Sequence, residues 1–145
     1  MKAERIFHDK VLLPDGNVIE MVIMKKQRSM PKTAQLHVGG LRAMGDRFID
    51  AWHRAEDGHA VNEAHVTFLD LDSMLSALSP KRLELLRYVR KHGATNIREL
   101  ATNIDRDYKN VHEDVVALEA VGLLLREGRK IIAPWDEVQA SVALA

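Results

Sequence analysis

The sequence of 145 residues contains no cysteine. The chain can therefore form no disulfide framework, and it offers no thiolate ligand to a metal ion. It also lacks any run approaching the ~20 apolar residues that a membrane-spanning helix needs, and its first ten residues hold no apolar signal-peptide core. We expect a protein of a reducing compartment, the cytoplasm, that makes no contact with a membrane.

Net charge is absent as well, because 21 lysines and arginines balance 21 aspartates and glutamates. The balance is uneven along the chain: residues 1–37 and residues 79–134 each carry +3, residues 38–78 carry −4, and residues 135–145 carry −2. Local charge, rather than total charge, attracts a polyanion. The two basic segments therefore permit DNA binding but do not require it.

Motifs of enzymes and metal sites are missing. The seven histidines include no His-x-x-x-His pair, and Gly39, Gly40 and Gly45 are not followed by the Lys-Ser/Thr of a P-loop. No serine stands in a nucleophile-elbow motif. We expect no catalytic residues, no metal and no cofactor, and we interpret the protein as a non-enzyme.

The first 35 residues are predicted to form a β-hairpin followed by a basic linker. Apolar residues over 5–24 flank Pro14-Asp15-Gly16-Asn17, a sequence in which proline presets φ and glycine accepts a positive φ. Residues 25–35 are polar, basic and aperiodic, which is typical of a linker.

Residues 36–78 are predicted to be a segment of helices and strands. Residues 36–38 and the alternating residues 64–68 indicate short strands, and a short helix capped by Asp70 or Asp72 follows. Between the strands, apolar residues at spacings of three and four predict an amphipathic helix. Its stripe belongs either to the core or to a dimer interface, and we expect dimerisation through Leu41, Met44, Phe48 and Trp52.

Residues 79–134 are predicted to contain three helices and a β-hairpin. The first helix begins at Ser79-Pro80 and ends at Gly93, and the second begins with the capping-box pair Asn96 and Glu99. We expect the buried stripe of the first helix to consist of Leu83, Leu86 and Val89.

The third helix of this segment is capped by Asp105 or Asp107 and closed by Gly122. Two short strands, residues 123–126 and residues 129–133, follow it. Residues 135–145 are predicted to form a C-terminal strand or tail, anchored by Trp135. The alternating apolar residues of this tail suggest pairing with residues 64–69 in the same subunit or in a partner.

Three helices followed by a hairpin is the element order of a winged helix-turn-helix. We therefore expect an α+β fold with a winged helix-turn-helix, an N-terminal helix/strand dimerisation segment and an extra N-terminal β-hairpin. The third helix of such a domain enters the major groove, where arginine and lysine contact phosphates or guanine and asparagine reads adenine. The candidate DNA-binding residues are Arg98, Arg106, Tyr108, Lys109, Asn110, His112, Arg126, Arg129 and Lys130.

The run LSPKRLELLRYVRKHGATNIRELATNIDRDYKNVHEDVVALEAVGLLLREGRKIIAPWDEV resembles predicted transcriptional regulators of the MarR-like winged-helix superfamily. The segments RELA, RDYKNVHEDV and LEAVGLL carry most of the likeness, which extends over residues 36–145. Such regulators are often antitoxins of toxin–antitoxin pairs. The resemblance implies a homodimer on an operator, a cognate toxin as a further partner, and a third helix that reads DNA through Tyr108, Lys109, Asn110 and His112.

The opening AERIFHDKVLLPDGNVIEMVIM is similar to the first hairpin of a small toxin family often encoded beside such antitoxins. Only that hairpin is present, so no toxin activity is carried over. One hypothesis is a truncated toxin fused to its antitoxin, with Met30 or Met24 near the start of the unfused antitoxin. On this hypothesis, deletion of residues 1–30 leaves folding and DNA binding largely intact.

The sequence thus predicts a transcriptional regulator that binds double-stranded DNA and represses its own operon. The alternative is a protein-interaction module that neutralises a partner toxin without binding DNA. The acidic residues Asp107, Glu113 and Asp114 of the third helix favour this alternative, because they repel phosphates. A toxin role of the hairpin, enzymatic or RNA-binding, ranks lowest, since the hairpin alone is too short to build an active site.

Overall fold

The computed structural model describes residues 3–26 and 31–144, and within them the chain is an α+β protein of seven strands and five helices. In chain order these are β1 (Ala3–Leu12), β2 (Val18–Lys26), β3 (Thr33–Val38), α1 (Leu41–Glu56), β4 (Glu63–Phe68), α2 (Leu71–Ala77), α3 (Pro80–His92), α4 (Ile97–Asn103), α5 (Tyr108–Ala120), β5 (Leu125–Glu127), β6 (Lys130–Ile132) and β7 (Glu137–Ser141). None of the helices described is long and apolar enough to cross a bilayer.

The chain divides into two compact units. Met1–Met74 together with Asp136–Ala145 form the sheet unit, and Leu75–Trp135 form the helical unit. The sheet unit holds a five-stranded sheet of order β2-β1-β4-β3-β7, in which β1 and β2 are antiparallel and the other neighbours are parallel. Parallel strands need a crossover connection, and α1 supplies it between β3 and β4.

The predicted N-terminal hairpin is confirmed, and its turn contains Gly16 at φ +87°. The predicted linker over 25–35 is wrong at both ends, because β2 continues to Lys26 and β3 begins at Thr33. Charged and polar residues at these positions do not prevent strand formation where the backbone has a partner strand. Residues 27–30 of that linker, Met30 among them, lie outside the described residues.

The hairpin is part of the sheet unit's core rather than an appendage. Strand β1 pairs with β4 in parallel from Phe7↔Glu63 to Leu12↔Phe68, and Phe7 and Val11 are fully buried. Phe7 packs in one cluster with Ala51 of α1. Each large apolar side chain buried in this way contributes about 1.5–3 kcal/mol, which argues against the hypothesis that residues 1–30 are dispensable for folding.

The predicted C-terminal strand is confirmed, but its expected partner is wrong. Strand β7 pairs with β3, from Thr33↔Glu137 to His37↔Ser141, and not with residues 64–69. Strand β4 has no edge left to offer, because β1 occupies one side and β3 the other. This double flanking also explains why the polar side chains His65 and Thr67 of β4 are buried.

A buried ion pair fastens α1 to the sheet. Asp9 of β1 is fully buried, and its Oδ2 accepts from Arg47 Nε at 2.8 Å while its Oδ1 accepts from Thr67 Oγ1 at 2.8 Å. The Arg47 guanidinium also donates to Thr67 Oγ1. Both carboxylate oxygens thus have a partner, which is the condition under which a buried charge is tolerated.

A second polar chain crosses the sheet from α1 to β7. Arg54 Nη1 donates to Glu63 Oε2 at 2.6 Å, and Glu63 Oε1 lies 2.9 Å from His65 Nε2. His65 Nδ1 lies 2.8 Å from His37 Nε2, and His37 Nδ1 lies 3.2 Å from Ser141 Oγ. The hydrogen bonds from His65 and Arg54 lower the pKa of Glu63 to about 2, whereas burial and the nearby Arg47 charge lower the pKa of His37 to about 4.

Sequence-encoded caps delimit the helices of the helical unit. Ser79 Oγ accepts from Arg82 N at the start of α3, and Asn96 Oδ1 accepts from Glu99 N at the start of α4, as predicted. Gly93 ends α3. The predicted stripe of α3 needs one correction: Leu85 is buried, while Leu83 is only half-buried.

The β5–β6 hairpin is joined to the helices by backbone hydrogen bonds and one indole. Ala94, between α3 and α4, exchanges two backbone hydrogen bonds with Ile131 of β6, at 3.1 and 2.8 Å. Trp135 is buried, and its Nε1 donates to the carbonyl of Gly122 at 2.9 Å. These contacts tie the hairpin to the start of α4 and to the end of α5.

Candidate nucleic-acid interface

Helix α5 presents its first turn to solvent. Asp107 caps it, since its Oδ2 accepts from Asn110 N at 3.3 Å, which decides between the two predicted caps. The buried stripe of the helix is Val111, Val115 and Leu118. The first two turns expose Tyr108, Lys109, Asn110, His112 and Glu113.

Aromatic and cationic side chains form a small cluster where α4 meets α5. The Arg98 guanidinium lies 5.8 Å from the ring centroid of Tyr108, and the Tyr108 ring lies 5.9 Å from that of His112. Tyr108 is 48% exposed, so the contacts within the cluster restrain these side chains while Tyr108 stays accessible to solvent. Arg98, from the first turn of α4, and Tyr108 thus form one continuous surface.

Arg106 is engaged inside the helical unit instead of facing solvent. Its Nη2 donates to Asp114 Oδ2 at 2.8 Å, and its side chain is only 18% exposed. Asp114 Oδ1 accepts from Arg82 Nε of α3 at 3.1 Å. The prediction that Arg106 is available to a phosphate therefore needs correction, because its charge is already paired with a partly buried carboxylate.

The β5–β6 hairpin carries the cations predicted for a wing, and they differ in whether they form an ion pair. Arg126 Nε donates to Glu119 Oε1 of α5 at 2.9 Å. Arg129 and Lys130 are exposed, and within the described ranges neither has an ion-pair partner. Gly128, at φ +64°, forms the turn, a backbone conformation that side chains with a Cβ rarely adopt.

The acids on α5 differ in what they do. Asp107 is used as a cap, and Asp114 is used in the two arginine contacts. Glu113 remains exposed on this helix, and Glu127 is exposed on the hairpin. The exposed charge of this surface is therefore mixed, and contact with a polyanion depends on where each cation stands.

The residues predicted for dimerisation are split between core and surface. Met44 is fully buried and belongs to the core of the sheet unit, so its assignment to an interface is wrong. Leu41 is half exposed, as is Trp52, and Phe48 is half-buried with its ring 6.1 Å from Phe7.

The apolar surface of α1 includes a residue that the sequence stripe omitted. Ile49 is 54% exposed, and together with Phe48, Trp52 and His53 it lines a shallow depression. Ile49 lies three residues before Trp52, so the two share one side of the helix. Ile49 is not part of the apolar stripe that the sequence predicted, and periodicity alone therefore did not identify it as an interface residue.

The pairing of Arg82 with Asp114 is the feature of this region that the sequence did not predict. They are 32 positions apart, and neither spacing nor composition links them. The sequence carries no signal that singles out Asp114, because Glu113 and Glu119 stand on the same helix.

The chain is thus an α+β protein whose helical unit carries a candidate nucleic-acid interface on α4, α5 and the β5–β6 hairpin. Residues 77–140 match a protein-family model described as HVO_A0114, which covers somewhat less than half of the chain. No curated protein and no solved structure matches the sequence.

Proposed function

We propose that this protein is a sequence-specific DNA-binding transcriptional regulator built on a winged helix-turn-helix. The observation that carries the proposal is the outward-facing first turn of α5, with Tyr108, Lys109, Asn110 and His112 exposed beside a short hairpin whose turn is cationic. A helix presented in this way fits the major groove, and a hairpin beside it can follow the sugar-phosphate backbone.

The element order and its internal contacts also support a winged helix-turn-helix. Helices α3, α4 and α5 are followed by the β5–β6 hairpin, and Ala94, ahead of α4, pairs with β6 to extend the hairpin into a small sheet. The sequence resemblance to MarR-like regulators over residues 36–145 supports the same assignment. By that resemblance we propose repression of its own operon, as in antitoxin-type regulators.

The proposal includes a homodimer. Leu41, Ile49 and Trp52 leave an apolar strip on α1, and charges of both signs lie beside it. Apolar patches rimmed by polar residues are typical of protein contacts. A second copy can cover this strip by self-complementary packing, which suits an operator with two half-sites.

The alternative, an interaction module that binds a toxin and ignores DNA, loses part of its basis. Its basis is the three acids Asp107, Glu113 and Asp114, but Asp107 and Asp114 have structural partners. Only Glu113 among the three remains exposed and without a partner in the part of the chain described. A toxin partner stays compatible with DNA binding, because the surface of the sheet unit contains none of the candidate DNA-binding residues.

Selection of bound sequences from a random DNA pool tests the proposal directly. We expect enrichment of one motif with two inverted half-sites, which reports both base reading and a twofold dimer. A pool that remains random at 50–200 mM salt contradicts DNA reading, and a single asymmetric half-site contradicts the dimer alone.

Substitutions separate phosphate contacts from base contacts. We expect Lys109→Ala and Arg129→Ala each to weaken binding to all sequences alike and to lower the slope of log K against log salt by about 0.9. We expect Asn110→Ala to relax sequence preference, with a loss of ~1–3 kcal/mol on the selected site. Fluorescence anisotropy on selected and scrambled duplexes measures both effects.

Arg87→Ala is the matched control for these variants, because it removes an exposed cation from α3. We expect this variant to bind with an almost unchanged salt slope. Equal loss on both duplexes for Asn110→Ala would refute its reading role.

A further inference from the structure

We infer that Asp114 is a positioning residue that sets the rotation of α5 and so determines how well the protein distinguishes its site from other DNA. The inference rests on the proposed function and adds a specificity-determining group to it. Asp114, Arg82 and Arg106 together are called the Asp114 clamp.

The clamp joins three parts of the helical unit through one carboxylate. Asp114 Oδ1 receives Arg82 Nε of α3 at 3.1 Å, and Asp114 Oδ2 receives Arg106 Nη2 from the turn before α5 at 2.8 Å. Arg82 Nη1 also donates to the carbonyl oxygen of Ser76 at 2.9 Å. Each carboxylate oxygen thus has its own guanidinium.

Partial burial gives the clamp more strength than a surface ion pair. The side chains of Arg82, Arg106 and Asp114 are 22%, 18% and 14% exposed. Exposed pairs contribute little because water screens them, whereas partly buried charge pairs with hydrogen-bond geometry resist displacement. The helical unit has one further ion pair among the described residues, Arg126–Glu119, and both of its side chains are more exposed than those of the clamp.

The clamp acts on the side of α5 that carries Asn110. Asp114 follows Asn110 by four residues, so the two side chains lie one above the other on the helix. A small rotation of α5 therefore moves both together. A base contact tolerates only about 0.5 Å and 10–20° of error, so loss of the clamp should harm base reading before it harms attraction to phosphates.

Neighbouring acids on α5 provide a matched pair of variants. Asp114→Asn and Glu113→Gln each remove one negative charge from the same helix, but only the first breaks the clamp. The experiment measures Kd on the selected duplex and on a scrambled duplex, and the ratio of the two is the specificity ratio.

For Glu113→Gln we expect tighter binding to both duplexes and an unchanged specificity ratio. For Asp114→Asn we expect the ratio to fall about tenfold or more, comparable to the discrimination carried by one base pair. Because Arg106 is released, we also expect the salt slope to steepen, by at most about 0.9 for one new phosphate contact. A purely structural role would lower the melting temperature without moving either quantity.

Arg82→Gln is the second variant, in case Asp114→Asn does not fold. It cuts the link to α3 and keeps the contact between Asp114 and Arg106, so we expect an intermediate fall in the ratio. An unchanged ratio in a folded variant of either kind overturns the inference and leaves the proposed function standing. Wild-type protein that fails to prefer the selected duplex overturns both.

Discussion

Single residues of the sheet unit hold charge away from water, and their partners make that possible. Asp9 is fully buried with a hydrogen-bond partner on each oxygen, and its only cationic partner among the described residues is Arg47. Arg5 and Glu20, by contrast, pair at 2.8 Å on an exposed surface. Equal distances therefore do not imply equal contributions, because the environment sets the cost of losing a partner.

We expect Arg47→Met to destabilise the protein by about 3–5 kcal/mol, since it leaves the Asp9 carboxylate buried without a counter-charge. Arg5→Met, which breaks the exposed pair at the same N–O distance, should cost about 0–1 kcal/mol. Urea unfolding at pH 7 measures both variants. Similar small losses in the two would show that Asp9 does not depend on Arg47.

At the scale of elements, the β1–β2 hairpin shows how a segment with a separate resemblance can still belong to the core. Strand β1 covers one edge of β4, supplies Phe7 and Val11 to the interior and carries Asp9 to Arg47. The likeness of the hairpin to the opening of a toxin family is a resemblance of sequence only. In the folded protein, β1 contributes to stability as a strand of the sheet.

Deletion of residues 1–30 should therefore disrupt the sheet unit and spare the helical unit. The deletion leaves β4 with an open edge and Arg47 without Asp9, whereas residues 79–134 keep their own buried residues and caps. Hydrogen exchange read by mass spectrometry measures this. We expect lost protection in β3 and β4 and retained protection in α3 to α5. Full protection in both units would show that the hairpin is dispensable for folding.

At the scale of the whole molecule, two partly buried histidines, His8 and His37, make stability depend on pH. Burial, followed by the nearby charges of Lys10 and Arg5, lowers the pKa of His8 to about 4, and burial with Arg47 lowers the pKa of His37 to about 4. The ordinary value is 6.5. Between pH 6.5 and about pH 4 these histidines bind protons in the unfolded chain but not in the folded chain, so the free energy of unfolding falls as pH falls.

We expect the free energy of unfolding to be at its full value above pH 6.5 and to decline between about pH 6.5 and about pH 4. Glu63, with its pKa lowered to about 2, adds a loss only at lower pH, as pH falls from its ordinary value towards 2. Urea titrations at pH 7.5, 5.5 and 4.5 measure the decline. His37→Asn should make it shallower, and an identical decline in this variant would exclude His37 as a source.

The sequence alone determined most of the helical unit, because its signals are local. Ser79-Pro80, Gly93 and the Asn96–Glu99 pair act within one helical turn, and the stripe of α5 follows helical periodicity. Asp107 rather than Asp105 became the cap only with the backbone in place, since both stand near the start of α5 and Asp105 adopts a positive φ of 53°.

Tertiary structure decided what depends on contacts between distant positions. The parallel partners of β1 and β7, the Asp9–Arg47 pair and the Asp114 clamp join residues whose spacing carries no signal. The choice between core and interface for Met44 also depended on packing. Strand partners follow from which sheet edges remain open, and ion pairs follow from which side chains share a buried space. Local sequence sets which segments are helices and strands and where each helix ends, and packing then sets which of their faces and charges remain outside.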